Sequence, residues 1–173
     1  MTDTPELSYA DLVLPSKIVS RLDVARLASE LERIDGEMAM KDMRTKVGKE
    51  GAALNVLHSD RLDAFLIANN LSLKDGRQRD RLIKQVHILK DKVPVIHMTF
   101  AVEADPESLG QLAEWVRASI HPQAVIAVGI QPGLVAGVYV RTPNHIHDLS
   151  LRGKLSEGHE ALVKELEVVN GRG

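Results

Sequence analysis

The chain has 173 residues, of which 24 are acidic and 22 basic, giving a formal net charge of −2. With 44% hydrophobic and 27% charged residues it is globular rather than disordered, and it offers no global basic field for nucleic acid or an anionic membrane. Cysteine is absent, which excludes disulfides, Cys-based zinc sites and a thiol nucleophile.

Aromatic residues are scarce, at one Trp, two Tyr and two Phe, so Leu, Val, Ile, Ala and Met must fill the core. The opening "MTDTPELSYADLVLP" is polar and acidic, and no signal peptide is expected there. No run approaches the roughly 18 apolar residues of a membrane span.

Ser20 and Asp23 read as a capping pair, followed at helical spacing by Leu22, Ala25, Leu27, Ala28, Leu31, Ile34 and Met38. Gly48 and Gly51 mark a break. A shorter helix is predicted over Asp60–Ala68, with Leu62, Phe65 and Leu66 on one face, and "NNLSLKDG" is a loop. Leu82, Ile83, Val86 and Leu89 form the stripe of a third helix.

At Val93 the period changes. In "VPVIHMTFAVEA" the residues Ile96, Met98, Phe100 and Val102 alternate onto one face of a strand, with Pro94 near its start. Asp105-Pro106 is an N-cap followed by proline at the first helical position, and Leu109, Leu112, Ala113, Val116 and Ile120 supply the buried face. "AVIAVGI" is expected to be a strand buried on both sides. "QPG" breaks it, "LVAGVYVR" and "HIHDLS" follow as strands around a Pro143-Asn144 turn, and Ser150 is placed to cap a last helix bearing Leu155, Leu162, Val163, Leu166 and Val169.

The predicted fold is therefore α+β: a helical domain over residues 1–90, then a small α/β domain over 91–173 of order β-α-β-β-β-α.

Little in this pattern points to catalysis. His145 and His147 stand two apart on a strand and so face one side, where a metal would need a further ligand such as His97 or His159. The plainer reading is a hairpin with two surface or half-buried histidines, and no metal or cofactor is expected. Gly129, Gly133 and Gly137 lack both the Rossmann spacing and the Walker ending, so they fit a turn and a close strand approach better than a phosphate loop. An RNA-binding sheet would need exposed aromatics, and the strands offer only Phe100 and Tyr139. Arg141, Arg152 and Lys154 are either solvated ends of elements or a docking point for an acidic partner helix.

Taken together, "GIQPGLVAGVYVRTPNHIHDLSLRGKL" resembles the C-terminal signature of the delta subunit of F-type ATP synthases, the family of the oligomycin-sensitivity-conferring protein. Pro132, Leu134, Gly137, Val140, Arg141, Asp148, Ser150, Arg152 and Leu155 match that signature without a gap. Gln131 stands where the family carries an acid, Ala136 replaces a glycine, Pro143-Asn144 replaces a Gly-Asp turn, and Lys154 replaces an arginine. His145 and His147 occupy positions where the family usually has Lys and an aliphatic residue. The upstream β-α-β also fits, whereas the helical half is shorter than the family's bundle.

The resemblance implies a non-catalytic peripheral-stalk subunit at the cytoplasmic face of the membrane. Its N-terminal helices would grip the alpha subunits of the catalytic head, and its C-terminal end, Leu162 and Leu166 included, would hold the b-subunit stalk. It implies neither nucleic-acid binding nor direct membrane insertion. The rival reading is a small nucleic-acid or ribosome-associated α/β module.

Overall fold

In this computed structural model, residues 8–46, 57–134, 136–142 and 144–150 are described. Among them the fold is mixed: helices α1 (Arg21–Lys46), α2 (Asp60–Ala68) and α3 (Gly76–Lys92) precede strand β1 (Val95–Phe100), helix α4 (Pro106–Ser119) and strands β2 (Val125–Ile130), β3 (Gly137–Arg141) and β4 (Ile146–Ser150). This matches the predicted order as far as β4. The predicted last helix and the Gly48–Gly51 break lie outside the described residues.

By contact density the chain forms two compact units. The first contains the helices up to Pro94 together with Leu109–Val125, so most of α4 groups with the helices. The second contains Val95–Ser108 and the strands from Ile126 onward.

In the helical unit the Ser20–Asp23 cap read from the sequence forms as chemistry requires. Asp23 N–H donates to Ser20 Oγ at 3.2 Å while Asp23 Oδ2 accepts from Ser20 N–H at 2.9 Å, a reciprocal box that satisfies donors at the head of α1. Ser59 Oγ accepts from Leu62 N–H at the start of α2, and Asp75 Oδ1 from Arg77 N–H at the start of α3. Helix α2 ends through Asn70 in the left-handed region (φ 50°), a conformation asparagine tolerates better than most residues.

Helix α1 packs along α3 and also meets α2. Val24, Leu27, Ala28, Leu31 and Ile34 of α1, Leu62 and Phe65 of α2, and Leu82, Val86 and Leu89 of α3 form the core. Leu22, assigned to the same stripe from its spacing, is 58% exposed. It stands at the start of the helix, two residues and so about 200° of rotation from the buried Val24.

Three polar side chains that periodicity cannot reveal fasten this unit. Arg79, on α3 and 5% exposed, pairs with Asp35 of α1 at 2.7 Å and donates to the Leu73 carbonyl at 2.8 Å. Gln123 donates to the carbonyls of Leu12 and Tyr9. Arg117 of α4 donates to the carbonyls of Leu14 at 2.9 Å, Pro15 at 3.0 Å and Ala124 at 3.1 Å, and to that of Ile18. Burial lowers the pKa of its guanidinium, an effect that nearby Glu114 opposes; an arginine nonetheless remains charged. These bonds hold the 8–18 segment, whose Leu12, Leu14 and Ile18 are buried.

In the second unit the sheet order is β2-β1-β3-β4. Strands β1 and β3 are antiparallel, as are β3 and β4. The bonds Val125 N–H to Pro94 O and Gln131 N–H to Phe100 O advance together along both strands, which makes β1 and β2 parallel, as a β-α-β crossover demands. Asp105 caps α4, accepting from Ser108 N–H at 2.9 Å and Ser108 Oγ at 2.6 Å, and these bonds hold its carboxyl below the usual carboxylate range.

Two expectations are corrected here. "AVIAVGI" is buried only over Ala124–Ile126; Val128 and Ile130, at period 2 from Ile126 on the edge strand β2, are exposed. Ile120 lies beyond the end of α4 and is 45% exposed, so it does not continue that helix's buried face.

Replacing Arg117 with Met keeps most of the apolar stem but leaves four carbonyls without their donor. It should lower stability in urea denaturation by about 2–4 kcal/mol. Arg117→Lys should recover only part of that loss, because a single ammonium cannot reproduce the planar fork.

Candidate partner-binding hairpin

The signature residues that the structure describes cluster on the turn after β2 and on the β3–β4 hairpin. Pro132–Leu134 forms a single 3-10 turn, closed by Leu134 N–H donating to Gln131 O at 3.1 Å, and Leu134 is buried. Gln131 N–H is in turn held by the Phe100 carbonyl at 2.8 Å, so β1 fixes where this turn begins. The chain enters β3 at Gly137 with φ 95°, a conformation that an L side chain strains to adopt.

Gly137 then pairs with Ser150, Tyr139 with Asp148, Val140 with His147, and Arg141 with Ile146. Val140 is buried and Arg141 exposed. The hairpin closes through Thr142: its N–H donates to His145 O at 2.8 Å, and its Oγ1 accepts from His145 N–H at 3.0 Å.

Pro132, Leu134, Gly137, Val140 and Ser150 thus act through turn, burial and register. Arg141 and Asp148 are on one face of the sheet, since their partners Ile146 and Tyr139 are each two residues from the other. Arg152, Lys154, Leu155, Leu162 and Leu166 lie outside the described residues.

The register also separates the residues that metal and RNA readings would need together. The rings of His145 and His147 are 6.1 Å apart between centroids and tilted by 35°. His97 pairs with Arg141, whereas His147 pairs with Val140, so His97 belongs to the opposite face from His147 and cannot complete their ligand set. His159 lies outside the described residues, and among those described no group of three His, Asp or Glu side chains is placed to hold a metal ion.

Thr99 pairs with Tyr139 and Phe100 with Val138, which puts the two candidate stacking aromatics on opposite faces. Of the three glycines, Gly133 sits inside the 3-10 turn and Gly137 starts β3, so neither heads a helix as a phosphate loop would.

Neither the models of known protein families nor the curated proteins contain a match to this chain.

Gly137→Ala should destabilise the protein by about 1–2 kcal/mol through backbone strain alone. Chemical denaturation provides the measure. Gly133→Ala serves as the contrast: its φ is not in the left-handed region and an added methyl meets nothing within 4 Å, so its effect should be much smaller.

Proposed function

We propose that this chain is a non-catalytic stator subunit of an F-type ATP synthase, in the role of the delta subunit. The observation that carries the reading is the ungapped signature from Pro132 to Leu155, whose described members fall on one turn and one hairpin preceded by a parallel β-α-β. Of the residues that match, Pro132, Leu134, Gly137, Val140 and Ser150 serve the turn, the burial or the register of the hairpin.

On this reading the helices of residues 1–90 engage the N-terminal helices of the alpha subunits, and the part from residue 91 to 173 holds the end of the b-subunit stalk. The chain then resists the torque that the central shaft exerts on the head, so that proton-driven rotation is coupled to ATP synthesis. Such work needs docking surfaces rather than a reaction centre. Two modest contacts in one chain gain about 10²–10⁴ in avidity where the geometry permits both.

The subunit would sit peripherally on the cytoplasmic side of the membrane, held by the complex. Among the described residues no helix is long and apolar enough to cross a membrane.

Tagged full-length chain recovered from mildly solubilised membranes should bring down alpha, beta and b subunits together. Leu162→Asp or Leu166→Asp, in a variant that keeps its far-UV spectrum, should retain alpha and beta while losing b by at least about tenfold, the equivalent of one 1.4 kcal/mol contact. Recovery of none of the three by folded wild-type chain would overturn the stator assignment.

A further inference from the structure

The sheet face that carries Arg141 holds a second feature, independent of the stator reading. Strand register places His97 directly opposite Arg141 and Thr99 directly opposite Tyr139. Directly opposed residues on one face have Cβ atoms about 4.5–5.5 Å apart, so the four side chains form a compact two-by-two grid. They line an open cleft of about 560 Å³, completed by Val95 and Thr142.

The composition of this grid is one-sided. Arg141 contributes a fork of N–H donors, His97 a ring N–H, and Tyr139 and Thr99 a hydroxyl each. Among the described residues none of these four side chains forms a hydrogen bond or ion pair with another protein group, whereas Arg117, Arg79 and Arg61 are each engaged. The acid of this face, Asp148, stands opposite Tyr139 rather than Arg141 and has an interaction of its own. The grid is thus a set of side-chain donors with one permanent positive charge on an antiparallel ladder, and Asp148 is the carboxylate beside it on the same face.

We propose that this face is an oxyanion-binding site that takes a carboxylate or phosphate group. The guanidinium of Arg141 would donate to two oxygens side by side, the geometry in which arginine exceeds lysine. His97, Thr99 and Tyr139 would donate to the remaining lone pairs, and Val95 and Ile146 would flank the group with apolar surface. An open cleft screened by water supports weak binding, with a dissociation constant on the order of 1 mM.

The test is a titration of isotopically labelled full-length chain, at constant ionic strength, with inorganic phosphate in one series and succinate in another. Amide shifts should saturate at residues 97, 99, 139 and 141, and the affinity should fall at least about tenfold in Arg141→Gln and less in Arg141→Lys. Arg81→Gln, a charge change on the exposed side of α3, should leave binding intact. Response to phosphate alone or to succinate alone would support the site and name the source of its anion.

No saturable shift with either probe up to about 30 mM would overturn the proposal. So would equal affinity in wild type and in an Arg141→Gln variant whose spectrum remains dispersed.

Discussion

A half-buried guanidinium bonded to backbone carbonyls organises the helical unit. Among the described residues Arg117 forms no ion pair with a carboxylate; it spends its donors on Leu14, Pro15, Ile18 and Ala124. The Pro15 carbonyl also accepts from Ile18 N–H at 2.9 Å, and backbone carbonyls in such an irregular stretch are costly to bury unsatisfied. One side chain therefore makes it possible for an irregular N-terminal segment to bury Leu12, Leu14 and Ile18. Gln123 does the same for Tyr9 and Leu12, and the amide of Asn69 exchanges hydrogen bonds with both backbone groups of Val13. The segment is held as an extra strand would be, with side chains standing in for the neighbouring backbone.

This arrangement bears on what kind of protein the chain can be. Among the described residues the buried polar side chains Arg79 and Gln123 are occupied with carbonyls, and Arg79 also with Asp35. The signature stretch behaves in the same way: Gly137 is there for its backbone angle, Leu134 and Val140 for burial, and Ser150 closes the register opposite Gly137. Residues of this kind set the shape of the hairpin. That is the property a stator subunit requires, and it is the reason the proposal rests on docking.

The local part of the fold was legible in the sequence. Helix α2 runs from Asp60 to Ala68 as its spacing predicts, and the Ser20–Asp23 and Asp105–Pro106 signals cap the helices they precede. These are interactions between residues three or four apart, where pattern and contact coincide. What sequence could not supply was tertiary. Arg117, Arg79 and Gln123 look like ordinary helix and loop polar residues, because their partners are carbonyls up to 114 positions away and a carbonyl leaves no mark in the sequence. The apolar run of β2 reads as a central strand, yet the order of strands places it at an edge. Similarly, His97, His145 and His147 look like one set until the register assigns His97 to the other face.

Coupling is the property that a stator alone provides. Membranes stripped of the catalytic head and of this chain would be recombined with purified head, with and without the chain, and ATP-driven proton uptake measured. The account predicts uptake only when the chain is present, although head alone hydrolyses ATP in both cases. Equal uptake with and without folded chain would contradict it.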